Sequence, residues 1–213
     1  MSTVNVTQTR LSPWLDGFIR RNGQIVAIEQ LTVRTEFGGT AIISGPLIAL
    51  PQEQPATLDQ LLKSCRPCLD GAVVLLRRGG YSIARVAIDG PQVTVAASKT
   101  GGGYVQGRTA AGGQSQQRFA RRRDNQATKL VESADRAVRT VFGDRPTGLG
   151  LLILGGDTLL IDQLLQSTAA AQLRNIAQRV TVPVGNPRRR LIEHAVELAT
   201  SVQVVVHNSD HPE

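Results

Sequence analysis

The 213-residue chain carries 24 Lys and Arg against 17 Asp and Glu, 41% hydrophobic residues, two cysteines and only seven aromatic side chains. That length suits one compact domain with a small appendage and hides about 70% of the unfolded surface, so neither disulfides nor a structural metal are needed. The best apolar run, Ala41 to Leu50, contains Gly45-Pro46 and is far short of the ~18 residues of a membrane span; Met1 to Gln8 lacks the features of a secretory signal, and the expected setting is the reducing cytoplasm.

In chain order, residues 1–10 are polar and predict a flexible arm. Ser12-Pro13 then reads as the capped start of a helix that runs to Asn22 and is stopped by Gly23. Ile25 to Ile28, Leu31 to Thr35 and Ala41 to Ile43 predict short strands, and Pro51 to Pro55 a linker. Thr57 caps a short helix ending at Lys63. Ala72 to Arg77, Tyr81 to Ile88 and Gln92 to Ser98, separated by Gly79-Gly80 and Asp89-Gly90-Pro91, predict an antiparallel meander. Lys99 to Gly113 holds six glycines in fifteen residues and predicts a long loop, a kind of segment that compact domains seldom keep without a function.

The longest helix is predicted from Gln114 to Phe142. At 100° per residue Ala127, Leu130, Val131, Ala134, Ala137, Val138 and Val141 share one side, and Arg118, Arg122, Lys129 and Arg136 gather opposite. Beyond it the chain alternates: a strand over Gly150 to Leu154, a helix from Thr158 to Gln166, a further helical run to Gln178, a strand over Arg179 to Val182, a helix over Pro187 to Thr200 and a strand over Val202 to His207. Such alternation predicts parallel pairing. The expected class is α/β, a mixed sheet with flanking helices. The expected division is an N-terminal extension over 1–56, a main domain over 57–207 and a polar tail over 208–213.

Several constellations are weak. Cys65-Arg66-Pro67-Cys68 has redox-pair spacing, yet it ends a helix and precedes a strand, the reverse of the thioredoxin arrangement, so two partly buried thiols are expected. His194, His207 and His211 form no recognisable triad or ligand set. Gly155-Gly156-Asp157-Thr158 lacks the residues of a P-loop or dinucleotide fingerprint, and a capped turn accounts for it. Asp89 and Asp157 do not make a metal-binding pair of strand-end carboxylates, so no metal or cofactor is expected. Arg188-Arg189-Arg190 is placed at the start of the last helix, where it opposes the dipole, with Glu193 and Glu197 spaced to offset it; a second phosphate contact is the other reading of this run.

The charge itself is concentrated. Of the net +7, six positive charges lie between Lys99 and Arg123 with no acidic residue among them: Lys99, Arg108, Arg118, Arg121, Arg122 and Arg123. Such a block is either a solvated face or the footprint of a polyanion. With so few aromatics, an RNA ligand would be held by its phosphates rather than by stacked bases.

At the junction of glycine loop and basic helix stands Gly112-Gly113-Gln114-Ser115-Gln116-Gln117-Arg118-Phe119-Ala120-Arg121-Arg122-Arg123. This run resembles the GGQ signature of the middle domain of eukaryotic and archaeal class I peptide-release factors, which read Gly-Gly-Gln-Ser and then Arg-Phe-Ala-Arg at the same spacing. Over residues 70–207 the chain is similar to the actinobacterial branch of the release-factor-like (VMS-type) peptidyl-tRNA hydrolases.

The resemblance implies an RNase H-like core and a ribosome-associated hydrolase that frees nascent peptide from stalled ribosomes or large subunits, with ribosome and peptidyl-tRNA as partners. It makes Gln114 the working residue, with Gly112 and Gly113 giving the backbone access to RNA, and Lys99, Arg108, Arg118, Arg121, Arg122 and Arg123 phosphate anchors. Residues 1–56 carry no counterpart of the codon-reading domain, which favours rescue without codon reading. Relatives that cut the tRNA near its 3′ end keep a nuclease open as the alternative, and an RNA-binding module without catalysis is the third reading.

Overall fold

A computed structural model describes residues 1–45, 47, 54–102, 114–143 and 147–208; within 114–123 the side chains described are those of Arg121 and Arg122. The chain groups into two units. The first gathers Met1–Cys68, Ile88–Gln92 and Glu197–Glu213, the second Leu69–Ala87 and Val93–Val196. Chain order therefore does not divide this molecule at residue 56: the helix after Thr57 and the final strand both fall in the first unit.

The first unit is built on strands β1 (Ser2–Val6), β2 (Ile25–Glu29), β3 (Thr32–Thr35), β4 (Thr40–Ser44) and β10 (Val202–His207), in the order β1-β10-β4-β3-β2. All neighbours are antiparallel. β1 lies against β10 with Val4 opposite Val204 and Val6 opposite Val202, and β10 meets β4 with Val205 opposite Ile42. The predicted flexible arm is thus an ordered edge strand. Its alternation of Val4 and Val6 with polar residues suits a pleated surface, but only the distant β10 gives it a partner.

Helix α1 spans Gln8–Asn22, so Pro13 is inside it rather than at its start. Leu11, Leu15, Phe18 and Asn22 are buried at four-, three- and four-residue spacing. Burial of Leu11, which a helix starting at Pro13 would leave out, outweighs the Ser-Pro start signal. Gly23, at φ +85°, ends the helix as expected. The ring of Trp14 stacks on Phe18 at 5.7 Å. Helix α2 (Leu58–Ser64) is capped by Thr57, whose side chain accepts from the Gln60 N–H, and it buries Leu61 in the same core. The Gln8 side-chain amide donates to the carbonyls of Cys65 (3.1 Å) and Thr200 (3.0 Å), tying three distant segments of this unit together.

The cysteines separate. Cys65 is buried at the C-terminal end of α2 and Cys68 is exposed, where two alike, partly buried thiols were expected. Of the linker predicted over Pro51 to Pro55, residues 51–53 lie outside those described.

The second unit holds β5 (Cys68–Arg77), β6 (Gly80–Asp89), β7 (Gln92–Gly102), β8 (Leu151–Gly156) and β9 (Gln178–Thr181) in the order β7-β6-β5-β8-β9. The tight turns at Arg78-Gly79 and Gly90-Pro91 make the meander antiparallel. β5–β8 and β8–β9 are parallel, with Val73 beside Ile153 and Ile153 beside Val180. This is the mixed α/β sheet predicted. β10 corrects one detail: it was expected to join this sheet after a parallel crossover, but pairs antiparallel in the other.

Helix α3 runs Gln114–Phe142 as predicted, and Leu130, Ala134, Ala137, Val138 and Phe142 pack with α4 (Thr158–Gln166) on one core that includes Val74, Leu76, Ile83 and Leu152. Two boundaries shift. The predicted helix to Gln178 is a short 3-10 turn, Ala171–Asn175, because β9 begins at Gln178. Helix α5 spans Leu191–Thr200, so Arg188 to Arg190 stand before it and not in its first turn.

Candidate functional site

Among the predicted site residues, Gly112, Gly113 and Arg108 lie outside the described part of the chain. Gln114 is the first residue of α3. Its main-chain N–H is therefore one of those that an α-helix leaves without an internal partner, at the end where the macrodipole is positive. The first turn of α3 contains no acidic residue to answer that polarity.

Lys99 is exposed on β7, which continues to Gly102, so the first four residues of the predicted glycine loop are strand. Arg121 and Arg122 are exposed on α3, as are Asp124 and Asn125. Those four residues flank Arg123 on the helix. Ala127 and Leu130 are the first of its side chains to join the core. Further along, Lys129 and Arg136 are exposed on the side away from that core. Arg118 falls on the same side by helical spacing, and Arg123 lies between; both are backbone positions on α3. At 1.5 Å per residue, Gln114 stands roughly 20 Å along the axis from Ala127. The helix thus carries Gln114 well away from its own anchoring residues, with arginines along the way.

The turn at Gly155 to Thr158 is a structural device. Asp157 caps α4 through Oδ1, which accepts from the N–H groups of Leu159 and Leu160. Gly156 has φ +121°, and a Cβ there would stand 2.1 Å from the Leu76 carbonyl oxygen; no other residue fits. Arg78 Nε approaches Asp157 Oδ2 at 3.7 Å. Arg188 to Arg190 are exposed. Among the described residues no three His, Cys, Asp or Glu side chains gather where a metal could bind, and no helix is long and apolar enough to cross a membrane.

Residues 70–205 match the family described as the Actinobacteria/chloroflexi VLRF1 release factor. The chain belongs to this family. The match covers β5 to β10 almost completely, including the Gly-Gly-Gln run and the whole of α3. No curated protein sequence matches the chain. Among solved structures it is similar to an archaeal translation termination factor, aRF1, at 14% identity and a TM-score of 0.36, over 93% of this chain and 66% of that one. It is also similar to another archaeal protein at 13% identity and a TM-score of 0.31, over 91% and 63%. This chain thus spans a little under two thirds of the length of either.

Proposed function

We propose that this VLRF1-family protein is a ribosome-dependent peptidyl-tRNA hydrolase of the cytoplasm, acting at the peptidyl transferase centre of stalled ribosomes or free large subunits. The observation that carries the proposal is Gln114 as the first residue of a long helix, directly after Gly112-Gly113 in the sequence, with Arg121 and Arg122 exposed along that helix. A helix end bearing such cations suits a cavity walled by RNA. Lys99, Arg108, Arg118, Arg121, Arg122 and Arg123 hold phosphates, and the glycines, lacking Cβ atoms, let the main chain approach the ester.

The chemistry is ester hydrolysis. Water oxygen attacks the carbonyl carbon that joins the peptide to the terminal ribose, the C–O bond to the ribose breaks, the ribose oxygen takes a proton, and the peptide leaves as the acid. The Gln114 N–H, free of the helical ladder, donates to the oxyanion that develops in the transition state. Its side-chain amide, with both donor and acceptor groups, orients the attacking water. No general base from this chain, and no cofactor, enters the scheme; the RNA supplies the proton path.

The test uses large subunits carrying labelled peptidyl-tRNA, with wild type and Gln114→Ala, following both free peptide and the tRNA 3′ end. Wild type is expected to release peptide and leave full-length tRNA, and the variant, which keeps the main-chain N–H but loses the amide that positions water, to be slower by about 100-fold at unchanged stability. Equal rates would refute the role of the Gln114 side chain, and shortened tRNA would replace the hydrolase by a nuclease.

A further inference from the structure

The parallel strands β5, β8 and β9 end at Arg77, Gly156 and Thr181. Open α/β sheets take ligands in the crevice outside such carboxyl ends. Here that crevice exists as a hollow of about 630 Å³ lined by Arg77, Gly156, Asp157 and Thr181 to Val184. A second, of about 700 Å³, shares Arg77 and Asp157 and adds Arg78, Gly185 and Asn186. Among the described residues no aromatic ring lines either one. Their lining charges are those of two arginines and one aspartate.

More positive charge is folded onto the same edge. The Pro187 carbonyl lies 3.8 Å from where a Cβ on Gly80 would stand, which places the chain just before Arg188 against the β5–β6 turn that carries Arg78. Arg189 Nε donates to Ser98 Oγ of β7 at 3.5 Å. The nearby carboxylate, Asp157, is engaged in capping α4 and in facing Arg78. Among the described residues no carboxylate pairs with Arg77, Arg188, Arg189 or Arg190. Cations carried on one face of a protein without counter-charge repel one another, a cost that an anionic ligand lowers.

The edge also has a position. Gly101 O lies 2.9 Å from where a Cβ on Gly80 would stand, and Gly79 O lies 3.0 Å from where one on Gly102 would stand. The end of β7, from which the chain enters residues 103–113, is therefore packed against the same β5–β6 turn.

We propose that this edge, with Arg77 lining its hollows and Arg188 to Arg190 following Pro187 beside the β5–β6 turn, is a second RNA-backbone site that takes phosphate groups of a strand lying near the end of β7. It is separate from the arginines of α3 and rests on the reading of this protein as a ligand of RNA on the ribosome. Its function is to fix the strand from which the reactive segment departs.

The probes are deacylated tRNA and vacant large ribosomal subunits, with binding measured over a range of salt for wild type, for Arg77→Gln/Arg188→Gln/Arg190→Gln and for the same three positions changed to Lys. Each lost phosphate contact lowers the slope of log affinity against log salt by about 0.7 to 0.9. The Gln variant is expected to lose about two units of slope and tenfold or more in affinity toward at least one probe, and the Lys variant to recover the slope. Unchanged slopes with both probes, or a loss that Lys does not restore, would overturn the site. Peptide release is read separately: binding by wild type without any release would remove the hydrolase and leave this site standing, while full release with unchanged slopes would remove this site alone.

Discussion

Cys65 shows how far one residue's surroundings depart from its motif. The Cys-x-x-Cys spacing places two thiols close in sequence, but Cys65 is 1% exposed and Cys68 is at the surface. Burial pushes the Cys65 thiol up from 9.0 to about 11, because the thiolate would lose its hydration. A thiol reagent at neutral pH should therefore modify Cys68 quickly and Cys65 only when the protein unfolds. The same burial has a sign in pH. Between about 9 and 11 the folded state holds a proton that the unfolded state has lost, so stability falls as pH rises through that window and is unaffected below it. The loss is on the order of 2 kcal/mol. Urea unfolding at pH 8 and at pH 11 should show a larger decrease for wild type than for Cys65→Ala, since the two proteins differ only in that thiol. Parallel pH dependence of the two proteins would mean that the thiol is ionised without cost.

At the scale of elements, α1 offers the clearest conflict between a local signal and a buried face. Pro13 is the sixth residue of the helix, where it removes the N–H that would bond the Thr9 carbonyl. Pro13→Ala is expected to stabilise the protein by about 1 to 3 kcal/mol, read as a raised urea midpoint with slower amide exchange over Gln8 to Ser12. A helix that began at Pro13, as Ser12-Pro13 suggests by itself, would gain nothing from the change. Where local pattern and burial agree, the sequence is legible: α3 was readable end to end because its apolar residues recur at helical spacing, and all seven residues placed on its inner face are buried or half-buried. β1 was not readable, because a short polar-looking strand is decided by a partner some two hundred residues away. The Gly-Gly-Gln run stands out as a contiguous motif. Of the arginine edge the sequence shows only the Arg188-Arg189-Arg190 run, because the approach of Pro187 to the turn at Gly80 joins segments about a hundred residues apart.

For the whole molecule, the same distance dependence decides what can be cut away. β10 sits between β1 and β4, so a chain beginning at residue 57 loses the strands on both of its sides. Val202, Val204 and Val206, buried in the intact protein, would then form an unpaired apolar strand with two open edges, the arrangement most prone to associate with other chains. The fragment 57–213 is therefore expected to aggregate or to lose amide protection over Val202 to His207, even though it retains the whole of the family match and all of the arginines discussed above. Adding residues 1–56 as a separate peptide should restore protection, because it supplies β1 to β4 together, and sedimentation with amide exchange would record the recovery. A monomeric fragment with fully protected β10 amides would show that the strand's stability comes from packing on its faces rather than from its neighbours in the sheet. In that case the first unit's sheet could be varied without consequence for the segment that carries Gln114.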